Sequence, residues 1–283
     1  MNLIGIRREA RFSPNMGEAD TAIFEAVADK LRCCGHDVSL VASFAEAKGV
    51  AAALGGVANV DALFSMSRDE DTLHEIIDAP EWNALLHVNS AIGIMACADR
   101  FTFEAAAAEK GFVTPQSFII ETSMKSVFFT SPCWLKRTSG WSQEREDVVF
   151  VRDADEATAA LANFHQRGHE TVLCSEHIEG DLVKFYGVAG TDFFDWSYAD
   201  ARHSKFGIEA INGTPHGYKF DAAALQCDSS RLADFLGVPV FGGDCIVRPD
   251  GTCVLIDFND WPSFSRCRED AADAIAEIII SKH

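Results

Sequence analysis

The chain has 283 residues, of which 48% are apolar and 24% are charged, and it has a formal net charge of −19. This length is too great for one small hydrophobic core and suits two or three compact units. The excess of 43 acidic over 24 basic residues opposes binding to nucleic acid or to an anionic membrane, because the field of the protein repels phosphate.

Short apolar runs and helical periodicities alternate along the first hundred residues. Strands are predicted at residues 3–6, 38–41, 61–64 and 84–88, and helices at 19–34, 44–54 and 69–77. This alternation is typical of a parallel sheet flanked by helices. We therefore predict a first domain of the α/β class over residues 1–97.

The middle of the chain reads as a small α+β layer over residues 98–175. The predicted elements are a helix at 100–110, strands at 116–120, 133–136 and 148–151, and a helix at 153–166. The last part, residues 176–283, is richer in strands. A predicted strand at 171–176 leads into this part, whose elements are strands at 181–188 and 192–198, a polar loop at 199–220, a helix at 222–236, a hairpin of strands 240–248 and 253–258, and a terminal helix.

The sequence predicts neither a membrane-spanning segment nor disulfide bonds. No apolar run approaches the roughly 20 residues that cross a bilayer, and the N-terminus reads as a strand without a signal-peptide cleavage site. The nine cysteines are odd in number, scattered and without a C-x-x-C pair. They are interpreted as reduced thiols, which favours a cytoplasmic protein.

The terminal hairpin carries the most informative polar residues. Asp244 lies on its first strand, and Asp257 and Asn259 lie two residues apart on its second, so the last two point to the same face. Two carboxylates and an amide oxygen on adjacent strands form a hard oxygen cluster that suits Mg²⁺. Asp and Asn are poor strand formers, so metal ligation is favoured over the closing of a turn.

A lysine and the turn that follows it could bind phosphate. Lys136 ends an apolar strand and can direct its ammonium into a cleft as a point charge. The next turn contains Ser139 and Gly140, and its backbone N–H groups could donate to phosphate oxygens. Taken alone, the segment also fits a solvated loop with a surface lysine.

The extended stretch at residues 176–181 could present its backbone to an adenine edge, with Glu179 accepting hydrogen bonds from ribose hydroxyls. Shortly after it, Lys184 is a charge inside an apolar strand, which is costly unless the lysine is paired or faces a ligand. A lysine on the wet side of a half-exposed strand is the alternative.

Basic residues concentrate at two places in this acidic chain, after the first strand and in the polar loop. They are Arg7, Arg8 and Arg11 in the first group and Arg202, His203 and Lys205 in the second. Both groups could bind an anionic acceptor such as a carboxylate or a phosphate. An ordinary solvated charge run remains an equal alternative.

In this order, the segments resemble the ATP-grasp superfamily over most of residues 87–283. Residues 133–136 resemble its nucleotide-lysine strand, residues 176–180 its adenine hinge, and the hairpin trio its metal-binding positions. The resemblance implies a Rossmann-like domain followed by two α+β subdomains that clamp ATP, with domains at 1–97, 98–175 and 176–283. It implies ATP and Mg²⁺, with Mn²⁺ as an alternative. The implied nucleotide-binding residues are Arg100, Lys136, Ser139, Gly140, Glu176, His177, Ile178 and Glu179.

The branch within this superfamily is less clearly indicated. The chain resembles carboxylate–amine ligases of the glutathione synthetase and ribosomal S6 modification type, but most ATP-grasp ligases have Glu where this chain has Asp257, and many have Lys where it has Arg100. Residues 182–184 and 256–262 look closer to the inositol trisphosphate kinases, but the His-Gly of their glycine-rich loop is absent.

The resemblance implies a carboxylate–amine or carboxylate–thiol ligase that forms an acyl phosphate, with Lys184 and Arg202 as catalytic residues. Two alternatives stay open, a kinase that phosphorylates a hydroxyl of an inositol polyphosphate and a non-catalytic ATP-binding protein. The expected partner is a small anionic acceptor, and a homodimer is a further expectation.

Overall fold

The computed structural model describes residues 1–13, 16–124, 132–138, 140–199 and 211–282. The strands are β1 (Asn2–Ile6), β2 (Asp37–Val41), β3 (Ala62–Ser65), β4 (Leu86–Val88), β5 (Ser117–Glu121), β6 (Cys133–Arg137), β7 (Val148–Val151), β8 (Thr171–Glu176), β9 (Asp181–Val188), β10 (Phe194–Tyr198), β11 (Val240–Val247) and β12 (Cys253–Asp260). The helices are α1 (Gly17–Cys33), α2 (Phe44–Ala53), α3 (Glu70–Ile77), α4 (Pro80–Asn83), α5 (Ala91–Ala98), α6 (Arg100–Glu109), α7 (Ala154–Gln166), α8 (Ala222–Leu236) and α9 (Arg268–Ser281).

The first sheet has the order β2-β1-β3-β4, and its strands are all parallel, as the alternation of strands and helices predicted. Its core is closed on one face by α1 and by the terminal helix α9. Val27 of α1 and Ile275 and Ile279 of α9 are fully buried in one apolar cluster. The end of the chain therefore returns to the N-terminal sheet, because neither helix can bury its apolar face alone.

The middle sheet is antiparallel, with the order β5-β8-β6-β7, and α7 covers it through Leu161 and Phe164. The predicted opening helix of this part, α6, packs elsewhere. Its Phe103 stacks on Phe258 of β12, with ring centroids 6.3 Å apart, and belongs to the core of the third sheet. The helix thus joins the third unit in space, although the middle unit follows it in sequence.

The third sheet is antiparallel, with the order β10-β9-β11-β12. One face packs on α6 and α8 through a cluster of phenylalanines that includes Phe185, Phe241 and Phe258, each fully buried. The other face is turned toward the middle sheet. Because side chains alternate along a strand, the polar residues of β9, β11 and β12 are collected on this second face.

Two helices had no counterpart in the predicted elements. The first, α4, is a single turn, and the second, α5, is formed by small and apolar residues that show no amphipathic period. Helix α5 begins at the N-cap Ser90, whose side chain accepts a hydrogen bond from the N–H of Gly93. Because α5 contacts helices and strands on several sides, its sequence lacks the polar stripe by which a surface helix is recognised.

All nine cysteines fall within the described ranges, and all are free thiols, as the sequence predicted. Among the described helices, none combines the length and the apolar character needed to cross a bilayer.

Candidate active site

A row of charged residues crosses the polar face of the third sheet. Asp244 on β11 is in register with Lys184 on β9 and with Asp257 on β12, so the three side chains share one face. Lys184 Nζ lies 3.5 Å from Asp244 Oδ2. Asn259 lies two residues beyond Asp257 and donates from Nδ2 to its Oδ2 at 2.9 Å. The three residues that the sequence proposed for metal binding therefore lie together.

The donor set of this row suits Mg²⁺. Asp244 and Asp257 supply carboxylate oxygens, and the amide oxygen of Asn259 is a third hard donor, because its Nδ2 is the atom used in the bond to Asp257. Within the described ranges, no group of three or more His, Cys, Asp or Glu side chains could hold a metal. The row would therefore hold a cation with two carboxylates, one amide and the oxygens of a phosphate or water.

A cleft between the middle and third sheets leads from the charged row to the connection between β8 and β9. Its apolar floor is formed by Leu182, Ile246 and Ile256, and Trp134 lies opposite on the middle sheet. The predicted hinge residues Glu176, His177 and Ile178 close one end, and Arg100, Lys136, Asp244 and Asp257 close the other. This arrangement of a flat apolar slot with charges at one end fits a purine nucleotide.

Glu179, which was predicted to contact the ribose, does not line this cleft. It lies in an adjoining surface cavity with Tyr218 and Arg248, on the outer side of the hinge. Within the cleft, the indole N–H of Trp134 donates to Nδ1 of His177 at 3.1 Å. Burial lowers the pKa of His177, so its ring is neutral at pH 7 and is presented to the slot as an uncharged surface.

The end of the cleft that the sequence predicted for phosphate is a half-buried group of opposite charges. Burial lowers the pKa of Lys136, and the neighbouring Arg100 lowers it further, whereas Asp257, Glu104 and Asp244 favour the charged form. Burial also raises the pKa of Glu104, against the attraction of Lys136. Glu104 had no sequence signal, because it belongs to no motif and is one of two acidic residues on helix α6. The two cations next to three carboxylates suit a bound metal–triphosphate, which carries both signs of charge.

Arg100 also holds the turn that follows β6. Its Nη1 donates to the carbonyl oxygen of Arg137 at 3.1 Å, and its Nη2 donates to Oγ of Ser142 at 2.9 Å. Gly140, in the same turn, has φ +77°, and a Cβ there would lie 2.9 Å from the Arg137 guanidinium. Of the two predicted turn residues, Gly140 is placed beside the site, and Ser139 lies outside the described residues.

A second cavity of about 290 Å³ continues from the phosphate end of the cleft, and the two share Arg100, Val148, Asp244 and Asp257. Its walls carry charges of both signs and aromatic rings. The charged lining residues are Arg8, Asp20, Arg68, Arg100, Lys184, Asp244 and Asp257, and the aromatic ones are Phe12, Trp141 and Tyr186. This cavity adjoins the charged row, since Lys184, Asp244, Asp257 and Asn259 all line it.

Only one of the three arginines after β1 reaches this cavity. Arg8 lines it, whereas Arg7 pairs with Glu25 at 2.5 Å on another side. Arg11 pairs with Asp69, and its side chain is 60% exposed. The structure therefore does not bring the three arginines together at one acceptor site. The predicted loop residues Arg202, His203 and Lys205 lie outside the described residues.

Arg68 is a cavity residue that the sequence did not indicate. It follows β3 as a single basic residue, but the fold places it beside Arg8, and both pair with Asp260. Arg8 also pairs with Asp20 at 3.2 Å. Burial lowers the pKa of Arg8, as does Arg68, and the two carboxylates oppose that shift. Arg68 could have been suspected only because parallel sheets place functional side chains at the carboxyl ends of their strands.

The fold was compared with known proteins. No family model matches the chain, and a search of curated proteins finds no match. Among solved structures, a D-alanine–D-alanine ligase from Bacillus anthracis, solved as a complex with ATP, has a TM-score of 0.68 at 14% identity, covering 100% of this chain and 98% of that one. A RimK domain ATP-grasp protein from Sphaerobacter thermophilus has a TM-score of 0.63 at 19% identity, covering 99% and 100%. The VanG D-Ala:D-Ser ligase from Enterococcus faecalis has a TM-score of 0.66 at 13% identity, covering 99% and 98%.

These similarities extend over nearly the whole length of both partners in each pair. The chain therefore has the ATP-grasp fold, which confirms the resemblance seen in its sequence. At such low identity the comparison establishes the fold, and the reaction must be argued from the site.

Proposed function

We propose that this protein is an ATP-dependent ligase that activates a carboxylate as an acyl phosphate and transfers the acyl group to an amine or a thiol. The observation that carries this proposal is the charged row of Lys184, Asp244 and Asp257 between an apolar nucleotide slot on one side and a cavity of mixed charge on the other. The neighbours in fold include named ligases, one of them solved with ATP, which supports the same class. A cytoplasmic location stays a prediction.

The mixed charge of the second cavity favours a ligase over a kinase for a polyphosphorylated acceptor. Such an acceptor would need several uncompensated cations, but Arg7 and Arg11 are paired elsewhere, and Arg8 faces the carboxylates of Asp20 and Asp260. Cations and a carboxylate on one wall instead suit a small acceptor that carries both an acid and an amino group. We therefore infer a small acceptor with both signs of charge.

The charged residues have different roles in phosphoryl transfer, according to their positions in the site. Lys136 and Arg100 neutralise the phosphate chain, and Lys184, beside Asp244, stabilises the phosphoryl group in transfer to the acceptor carboxylate. Asp244, Asp257 and Asn259 would hold Mg²⁺, which supplies charge neutralisation at the phosphates when bound. The chain supplies no covalent nucleophile, because positioning and electrostatics carry this chemistry.

Exclusion of water protects the acyl phosphate. The second cavity is walled by the rings of Phe12, Trp141 and Tyr186, which lie around the position that the acceptor carboxylate would take. An acyl phosphate held there reacts with the bound amine or thiol, whose electron pair attacks the carbonyl carbon while phosphate leaves. The attacking amine or thiol loses its proton as the new bond forms. The products are therefore an amide or a thioester, together with ADP and phosphate.

The test is turnover of Mg-ATP with pools of amino acids, short peptides, simple carboxylates and inositol phosphates, read by product mass and released phosphate. Hydroxylamine added in place of the amine should trap the acyl phosphate as a hydroxamate. Lys184→Met should abolish hydroxamate formation, whereas Lys48→Met, at an exposed ion pair of the first domain, should not. A product heavier by one phosphoryl group, without hydroxamate, would establish a kinase instead.

A further inference from the structure

The strand β5 forms one edge of the middle sheet, and its outer side is exposed. The sheet order β5-β8-β6-β7 leaves β5 with one neighbour among the strands that the structure describes. Phe118 is 52% exposed and Ile119 is 49% exposed. The two residues are adjacent in the strand, so their side chains point to opposite faces of the sheet. Both faces of this edge therefore present a large apolar side chain to solvent.

The backbone of β5 also has polar groups that point away from its own sheet. At the end of the strand, the N–H of Thr122 donates to the carbonyl oxygen of Glu170 at 2.9 Å. Because hydrogen-bonded pairs alternate along an antiparallel ladder, the even-numbered residues of β5 are the ones that bond to β8. The N–H and C=O groups of the odd-numbered residues therefore point outward, and these residues are Ser117, Ile119 and Glu121.

This edge lacks the features that normally prevent a strand from pairing with another chain, which are a charge within the strand, a proline, a bulge or a short length. Other edge strands of the described sheets have some protection. β4 has only three residues, β10 contains Asp195, and none of the side chains of β7 is exposed. β5 is five residues long, pairs with β8 without a bulge, and has its one charge, Glu121, at the last position. A regular, apolar and exposed edge is a template for a further strand.

We propose that β5 is the interface of a homodimer, in which it pairs antiparallel with β5 of a second copy about a twofold axis at Ile119. The two four-stranded middle sheets then form one continuous sheet. Across the axis, each residue of one strand lies opposite a residue of the other. The pairs are Ile119 with Ile119, Ser117 with Glu121, and Phe118 with Ile120. The proposal does not depend on the ligase function.

Both faces of the edge gain apolar contacts in this register. Ile120 belongs to the apolar cluster that α7 covers, and Phe118 points to the same face of the sheet. Because Phe118 lies opposite Ile120 of the second copy, it extends that cluster across the axis. On the other face, the two Ile119 side chains contact each other. Pairing with a second copy therefore covers the two exposed apolar side chains and satisfies the outward backbone groups together.

The distribution of charge favours a second copy in this register. Two chains with a net charge of −19 each repel one another, so a contact between them must keep carboxylates apart. With the axis at Ile119, the two Glu121 side chains lie four strand positions apart, about 14 Å, which exceeds the Debye length of about 8 Å. A shift that sets Glu121 opposite Ile119 halves this separation. The opposite shift sets Glu121 against Pro115, which has no N–H to donate.

The test is sedimentation velocity of the full chain over a range of protein concentrations. An edge of five residues is smaller than a standard interface, so we expect a reversible dimer with a Kd on the order of 10 μM. Ile119→Lys sets two like charges face to face at the axis and should raise this Kd about 30-fold. Ile92→Lys, at a 67% exposed isoleucine of α5, is the matched control and should leave the Kd unchanged. Thermal unfolding checks that each variant is folded.

Glu121→Lys tests the register. Glu121 lies opposite Ser117 of the second copy, and the Ser117 hydroxyl donates to Glu104 at 3.1 Å, so a lysine at position 121 faces a carboxylate. This variant should lower the Kd about threefold. Lysines two positions apart then have opposite effects, which a general loss of negative charge cannot produce. A protein that stays monomeric at every concentration would refute the interface and leave the edge to a strand of another protein. A dimer whose Kd is unchanged by Ile119→Lys would equally refute it.

Discussion

Replacement of Asp257 by Asn separates the proposed metal site from the stability of the fold. Asp257 accepts one bond from its neighbour's backbone N–H, at 3.1 Å, and one from Asn259 Nδ2, at 2.9 Å. The amide of the variant can retain one of these two bonds, so the loss of stability should stay below about 1 kcal/mol. The substitution also relieves the repulsion between Asp257 and the facing carboxylate of Asp244.

The effect on the metal–nucleotide complex should be far larger. A divalent cation and a carboxylate about 4 Å apart attract each other by roughly 8 kcal/mol at an effective dielectric constant of about 20. Desolvation of both charges cancels more than half of this attraction, which leaves a net loss of about 3 to 4 kcal/mol. We therefore expect Mg-AMP-PNP to bind the Asp257→Asn variant about 100- to 1,000-fold more weakly.

The assay is calorimetric titration with AMP-PNP in the presence and absence of Mg²⁺, together with thermal unfolding of each variant. Asp250→Asn is the matched control, because it makes the same chemical change in the exposed turn of the same hairpin. That control should bind the nucleotide like the unaltered protein. Unchanged affinity for Mg-AMP-PNP in the Asp257→Asn variant would refute the metal assignment, since no other described residue stands in its place in the charged row.

Three further predictions follow from buried groups around the site. The pKa of Lys136 is lowered, so its positive charge is present at pH values below that pKa and is lost as the pH rises through it. When the pH is raised, nucleotide affinity should therefore begin to fall before pH 10.5, the ordinary lysine value, is reached. Lys136→Arg should move that decline to higher pH in titrations across the alkaline range, and an unshifted profile would contradict this. A Cβ at Gly242 would lie 2.9 Å from Pro262 in the lining of the second cavity. Gly242→Val should therefore reduce ligase turnover, while Mg-AMP-PNP affinity is retained within about threefold. Arg68→Leu removes one of the two cations that pair with the buried Asp260, so it should lower the free energy of unfolding in urea by about 3 kcal/mol. Arg7→Gln, at a more exposed ion pair, should lower it by less than about 1 kcal/mol. Equal losses in the two variants would argue against a buried network.

The order of motifs along the chain predicted a large part of the nucleotide site. Lys136, His177 and Asp257 come from three separate segments, and the cleft brings all three together. Lys136 ends an apolar strand and Asp257 interrupts one, where a polar side chain is costly without a ligand, whereas His177 was indicated only by the resemblance of residues 176–180 to the adenine hinge. Glu179 was placed with the same motif, but it lines the adjoining surface cavity and not the cleft.

The acceptor side was much less predictable. Arg7, Arg8 and Arg11 are close in sequence, but they point to different surroundings, and a cluster in sequence is therefore not a cluster in space. Arg68 belonged to no motif, and Trp141 stood in the turn after Lys136 without a predicted role of its own. Their roles depend on contacts with Asp260 that bridge 192 and 119 residues of chain.

The sequence by itself determined most of the local elements and the resemblance to the ATP-grasp fold, because strand and helix periods, turn residues and polar interruptions act over a few neighbouring positions. Only the tertiary structure decided which helix covers which sheet and which charges meet. Helix α6 joined the third core, helix α9 returned to the first, and the single carboxylate of Asp260 gathered donors from the two other units. Burial of apolar faces drives those choices, and that burial depends on every surface available to an element rather than on its own sequence.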